Sequence, residues 1–304
     1  MKFKLPDELI FLENAKAIQK KSNASMAGKI CIITGATSGV GLQAAKRLAK
    51  SGAHIVMVCR NKEKAVQIIK EIKNEFNVSA DFVIADFSNL DEVRSAAEFI
   101  LRNYKRIDVL INNAGLHSTV PFYTKEGHEL VFCVNHLASF LLTMMLLVRL
   151  KESAPSRIIY VNSEGHRFNG LDLKDIDWKK RKYNGYRSYG ASKTAQLLTV
   201  WELAEKLKGS NVTVNAMHPG DVKTNIGQNN GWLYKLFYRL MIKPLLKDPV
   251  ISGEAIYYLA SDPEMSNISG RFFNLTIDEK PAAQALNKDM GKLVWDTSMQ
   301  MTGL

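Results

Sequence analysis

Tyr189 and Lys193 stand four positions apart in Ser188-Tyr189-Gly190-Ala191-Ser192-Lys193. On a helix this spacing puts both side chains on one face, about 40° apart around the axis. A cation beside a phenol favours phenolate, and so lowers the tyrosine pKa from its reference of about 10. A tyrosine in that setting can both donate and accept a proton near neutral pH. Of the ten tyrosines in the chain, only Tyr189 has lysine at the fourth following position. One such pair also arises by chance, as a solvated lysine near a tyrosine, so the surrounding elements must decide its meaning.

Those elements alternate. Short β-branched runs are read as strands at 29–34, 54–58, 80–85, 108–111, 157–162 and 212–217. Helical-period segments lie between them at 40–51, 62–76, 89–104, 127–151 and 186–208, with Ser88 or Asn89 as the cap of the third. Strands alternating with helices imply a parallel sheet covered on both faces, and right-handed crossovers make it a doubly wound α/β sheet. Residues 1–27 read as an N-terminal extension with a short surface helix over 7–21. Residues 28–304 read as a single domain.

The first strand runs into Thr34-Gly35-Ala36-Thr37-Ser38-Gly39-Val40-Gly41. Glycines spaced G-x-x-x-G-x-G between a strand and a helix permit a tight turn. They also let a diphosphate approach the backbone N–H groups at the positive end of the helix. A tight loop without ligand is the plainer alternative. The second strand ends Met57-Val58-Cys59-Arg60-Asn61. An NAD site usually presents an acid there for the ribose 2′-hydroxyl. Cys59 stands in its place and Arg60 follows, and a guanidinium pairs with a 2′-phosphate. The expectation is therefore NADP(H) over NAD(H), unless Arg60 is only a solvated residue at a helix start. Asp86, after the third strand, is positioned to accept from the adenine amino group, or to cap a helix.

Taken in order, Thr34 to Gly41, Asn112-Asn113-Ala114-Gly115, Asn135, Ser163, Tyr189-x-x-x-Lys193 and His218-Pro219-Gly220 resemble the short-chain dehydrogenase/reductase family over roughly 28–304. Within it, Val56 to Asn61, Asn162-Ser163-Glu164-Gly165-His166 and the tail Lys292-Leu293-Val294-Trp295 through Thr302-Gly303-Leu304 resemble the retinol-dehydrogenase-like branch. The resemblance implies a Rossmann fold and a carbonyl reductase or alcohol dehydrogenase. It casts Tyr189 as general acid/base, Lys193 as the cation that lowers its pKa and holds the nicotinamide ribose, and Ser163 as a second donor to the substrate oxygen. Asn135 would hold a water in a proton relay. Asn113, Ala114 and Gly115 would line the cofactor, as would Gly35, Thr37, Ser38, Gly39, Val40 and Gly41. Pro219, Gly220, Val222 and Thr224 would wrap the nicotinamide amide. Asn162 departs from the serine often found before the catalytic serine. With Tyr189 filling the acid/base role, His136 and His166 are read as structural. A nucleotide-sensing or scaffolding protein of the same fold is the competing class, and an intact set of Asn135, Ser163, Tyr189 and Lys193 argues against it.

Gly231 to Lys247 reads GWLYKLFYRLMIKPLLK, with Lys235, Arg239, Lys243 and Lys247 forming a basic stripe on an apolar helix that Pro244 kinks or ends. The segment at about 224–249 is read as a substrate lid, which implies a lipophilic alcohol or carbonyl. Peripheral contact with an anionic membrane surface is the rival reading. The net charge of +11 suits phosphorylated ligands or such a surface. Nucleic acid is not expected, because no recognition helix, zinc spacing or RNP-like pattern accompanies the charge. Cys31, Cys59 and Cys133 have neither CxxC nor Cys/His spacing, so neither zinc nor a disulfide framework is expected, and a reducing, cytoplasmic setting fits. Met1-Lys2-Phe3-Lys4 followed by Pro6, Asp7 and Glu8 reads as an opening without a secretory signal. The apolar stretch 130–148, interrupted by Asn135, His136, Ser139 and Thr143, reads as a buried helix rather than a membrane span. The apolar helices at 127–151 and 186–208 would also serve a homo-oligomer.

Overall fold

The computed structural model describes residue 14, residues 17–223 and residues 246–304. Among these, β1 (Ile30–Thr34), α1 (Gly39–Lys50), β2 (His54–Cys59), α2 (Lys62–Phe76), β3 (Ala80–Ile84), α3 (Leu90–Asn103) and β4 (Val109–Asn112) form the first half. The second half comprises α4 (Leu130–Glu152), β5 (Ser156–Val161), α5 (Gly185–Lys206), β6 (Val212–His218), α6 (Val250–Ser261), β7 (Phe272–Asn274), β8 (Ile277–Asp278) and α7 (Lys288–Thr302). The strands make one sheet in the order β3-β2-β1-β4-β5-β6-β7-β8. Every pairing is parallel except the antiparallel β7–β8 edge. This is the doubly wound Rossmann-type sheet that the alternation implies.

Strand residues alternate between two cores, as the period of two requires. Ile32, Leu110, Ile158 and Val214 face the layer of α3, α4, α5 and α7. Ile33, Ile111, Ile159 and Met217 face the layer of α1, α2 and α6. β1 pairs with β2 on one side and β4 on the other, so the chain winds outward in both directions from this point. Ligands of such sheets bind in the crevice at the carboxyl ends of the strands where the order reverses.

α4 is long and apolar enough to cross a membrane by composition, yet 78% of its apolar window is buried inside the fold. It is the core helix expected, with two differences. It begins at Leu130 rather than 127, because the Glu129 carboxylate accepts from the Val131 and Phe132 amides. It also widens into a π turn over Cys133–Leu137. Glu129 is fully buried and accepts further from Tyr183 Oη and Ser188 Oγ, both at 3.1 Å, which joins the start of α4 to the start of α5.

The end of the extension departs from the expected helix. Of the helix anticipated over 7–21, only residue 14 and residues 17–21 are described, and residues 18–21 are not helical. Lys20 N instead donates to Thr276 Oγ1 at 2.8 Å, and Gln19 Oε1 accepts from Thr276 N at 3.0 Å. Met26 is buried in the second core. Backbone satisfied by the β7–β8 corner has no need of intrahelical partners. The segment read as a lid lies outside the described residues apart from 246–249. Its ends meet, because Lys223 N donates to Lys247 O and Lys247 N to Asp221 O.

Glu129→Ala removes a helix cap and the carboxylate acceptor of the Tyr183 and Ser188 hydroxyls, leaving Tyr183 Oη only its longer bond to Ser118 O. It should lower stability by about 2–4 kcal/mol in urea unfolding.

Candidate active site

A cavity of about 720 Å³ opens at the carboxyl ends of the strands, where the order reverses. Its floor is the turn between β1 and α1. Gly35 N donates to Val58 O, and Gly35 takes a φ of +67°, which glycine adopts without a Cβ penalty. A Cβ on Gly41 would lie 2.4 Å from Asn113 Nδ2 and 2.7 Å from Gly35 O, so the turn closes only around a bare backbone. The Asn113 side chain donates to Thr34 O and Gly35 O, while Thr34 Oγ1 accepts from the Asn113 and Ala114 amides at 2.9 Å each. The turns after β1 and β4 are thereby tied into one surface. Ser38, the N-cap of α1, makes no side-chain cap bond, and no acid sits in the first turn. Bare helix amides beside glycines are an anion-binding arrangement.

Gly35, Thr37, Ser38, Gly39, Val40, Arg60, Asp86, Asn113, Ala114, Gly115, Pro219, Gly220 and Val222 line this cavity, together with Ser163, Tyr189 and Lys193. Gly41 and Asn135 sit behind its wall, and Thr224 lies outside the described residues. Arg60 is exposed on the rim, with Lys64 of α2 beside it on the cavity lining. Asp86 Oδ1 accepts from Ser88 N and Ser88 Oγ, while the cap of α3 is Asn89.

The catalytic candidates converge from three elements. Ser163 follows β5 and caps a short 3-10 turn, its Oγ accepting from Gly165 N at 3.0 Å. Tyr189 and Lys193 lie on the first turns of α5. Lys193 is buried, and its ammonium donates to Val161 O at 2.9 Å and sits 5.8 Å from the centre of the Tyr189 ring. The expected depression of the phenol pKa by lysine is not what this arrangement produces. Burial pushes Tyr189 up to about 12, opposed by a hydrogen bond with Ser163, and burial pulls Lys193 down to about 7. Desolvation is the dominant influence on both groups, and the ammonium makes its hydrogen bond to a strand carbonyl.

Asn135 occupies the π turn. Its Oδ1 accepts from Leu116 N, its Nδ2 donates to Leu116 O and Ser192 Oγ, and its carbonyl accepts from Gln196 Nε2 at 3.0 Å. The same carbonyl also accepts from Ser139 Oγ, and wider turns of this kind recur at functional sites. Asn162 donates to Lys193 O and Gln196 Oε1, and its Oδ1 accepts from Ser163 N. Sequence reasoning passed over Gln196, although it stands seven residues beyond Tyr189 and hence on the same helix face. Gly165 is more than part of a turn. A Cβ there would lie 2.5 Å from Tyr189 Cε1, so its bareness lets the phenol ring lie against the Ser163 turn. The histidines brace. His166 Nδ1 pairs with Ser163 O and its Nε2 accepts from Ala282 N, while burial lowers its pKa to about 4. His136 is buried beside Ser298, away from the cavity lining.

The short chain dehydrogenase family model matches residues 29–232. The chain belongs to this family. Human retinol dehydrogenase 13 is 38% identical over 288 residues, covering 93% of this chain and 87% of that protein. Human retinol dehydrogenase 14 is 36% identical over 301 residues, covering 92% and 88%. A solved protein of Mycobacterium paratuberculosis superposes with a TM-score of 0.74 at 28% identity, over 92% of this chain and 95% of that one. A short chain dehydrogenase of Shigella flexneri, solved in complex with NADP, has a TM-score of 0.67 at 25% identity, over 84% and 99%. This short chain dehydrogenase is therefore an oxidoreductase of the retinol-dehydrogenase-like branch, with a nicotinamide cofactor and a small-molecule substrate.

Gly41→Ala should weaken nicotinamide-cofactor binding at least tenfold (about 1.4 kcal/mol) in a fluorescence titration. The added methyl separates the β1 turn from Asn113.

Proposed function

We propose that this short chain dehydrogenase transfers a hydride between NADP(H) and a lipophilic alcohol or carbonyl compound, with Tyr189 exchanging the proton. The observation that carries the reading is the convergence of Ser163, Tyr189 and Lys193 on the cavity floored by the glycine turn. Gly35 to Gly41 and the α1 amides suit a diphosphate, and Asn113 to Gly115, Pro219, Gly220, Val222 and Thr224 suit the remainder of the dinucleotide. Arg60, with Lys64 beside it, suits a 2′-phosphate, and Asp86 keeps an oxygen for the adenine amino group. When bound there, the cofactor supplies or accepts the hydride at its nicotinamide.

The chain's own residues supply the rest. Ser163 Oγ and Tyr189 Oη both donate to the substrate oxygen and polarise the carbonyl. In reduction, the phenol proton passes to the oxygen as it gains alkoxide character. In oxidation, the phenolate takes the proton back. A Tyr189 pKa pushed up to about 12 keeps that proton in place at neutral pH, which favours the donor role. Lys193, carried on Val161 O 5.8 Å from the centre of the Tyr189 ring, is a donor for the nicotinamide ribose, and in its protonated form it favours the phenolate. Asn135 and Gln196 position the carbonyl through which a relay water would reach Lys193. The relatives named retinol dehydrogenases agree with a lipophilic substrate, and the NADP complex of a structural neighbour agrees with the cofactor.

Tyr189→Phe should reduce turnover by about 10²–10⁴-fold while NADPH still binds. Retained turnover, read by NADPH absorbance against a carbonyl panel, would remove the central claim. Arg60→Ala should raise the KM for NADPH about tenfold or more and narrow the preference for NADPH over NADH, because a charge-assisted phosphate contact is lost.

A further inference from the structure

A row of aromatic rings leads from Tyr189 to the rim of the cavity. The His117 ring meets Tyr189 edge-on, with centroids 5.8 Å apart, and lies 5.6 Å from the ring of Tyr186. Tyr186 in turn contacts Phe168 at 5.7 Å. The inner members are covered and the outer ones are open, with Tyr186 60% and Phe168 57% exposed. Single exposed apolar residues are ordinary. A pair in mutual ring contact, one of them lining the catalytic cavity, has another use available.

The backbone holds this pair firmly. Phe168 ends the 3-10 turn that begins after Ser163. Tyr186 sits on the first turn of α5, three residues before Tyr189. Gly170 and Gly190 let the two segments touch, since a Cβ on Gly170 would lie 2.3 Å from Arg187 O, and one on Gly190 2.5 Å from Asn169 O. The distance from the catalytic phenol to the rim rings is therefore set by main-chain contact. Burial lowers the pKa of His117, which favours the neutral ring at the inner end of the row.

We propose that Phe168 and Tyr186 are specificity-determining residues that form a subsite for an elongated apolar tail, on a substrate whose reacting carbon sits at Tyr189. This rests on the reading of Tyr189 as the acid/base for a carbonyl or alcohol. The rings form a chain of pairwise contacts outward from Tyr189, so each methylene laid against the outer pair leaves water, whereas a short substrate never reaches them.

The test is a homologous series of butanal, hexanal, octanal and decanal with NADPH, run on the wild-type chain and on Phe168→Ala, Tyr186→Ala and Tyr186→Phe. In the wild type, kcat/KM should climb about three- to fourfold for each methylene that becomes buried, chiefly through a falling KM. Phe168→Ala and Tyr186→Ala should flatten the climb among the longer members, while Tyr186→Phe keeps the ring and the climb. Both side chains are exposed, so their replacement does not threaten the fold. An unchanged gradient in both alanine variants overturns the inference, as does an equal fall of kcat for every aldehyde, which would mean only a disturbed Tyr189. Absence of turnover at every chain length overturns this inference together with the reading beneath it. Turnover with an unaltered gradient overturns this one alone.

Discussion

An ammonium group buried against the end of a strand is the constraint on which the site depends. Lys193 loses its hydration and recovers one strong bond, to Val161 O at 2.9 Å. Isolated burial of such a charge is costly, so its surroundings must hold the carbonyl where the lysine can reach it. β5 holds Val161 in register with Met217 on one side of the sheet. Asn162 reaches across to Lys193 O and Gln196, fixing the helix over the strand end. With strand and helix fixed together, Tyr189 has little choice of position, and Gly165 removes the one methyl that would stand in its way.

The same economy joins the cofactor surface to the catalytic one. Thr34 and Asn113 lock the turn of β1 to the turn of β4, and Asn135 locks the next residues of that turn, at Leu116, to Ser192 on α5. These bonds are made by short polar side chains at strand ends and in a π turn. Their buried donors and acceptors satisfy one another, which is what allows a polar network inside an apolar fold. Glu129 repeats the device where the two helices begin. One carboxylate takes four donors from α4, Tyr183 and Ser188, and so keeps the helices that bear Asn135 and Tyr189 in step.

Much of this was legible in the residues. The alternation of strands and helices carried the doubly wound sheet, with element ends misjudged by one to three residues where a cap decided the start, as at Glu129. The glycine turn, Arg60, Ser163 and the Tyr189–Lys193 spacing pointed to the cavity that their side chains line. Other features had no local signature. At the π turn over Cys133–Leu137 the Asn135 carbonyl is met by Gln196 from another helix. Residues 18–21 of the extension are not helical, and Thr276, distant in sequence, bonds Gln19 and the Lys20 amide there.

The sequence by itself determined which residues share a strand end or a helix face, and so which chemistry was available, because periods of two and of 3.6 residues are properties of the local chain. Only the tertiary structure decided the electrostatics. Lysine near tyrosine reads locally as a lowered phenol pKa. In the fold, the lysine turns to a strand carbonyl and both groups are desolvated, so the phenol rises to about 12 and the ammonium falls to about 7. Desolvation is a sum over everything packed around a group, and that sum exists only once the strands, helices and turns have met.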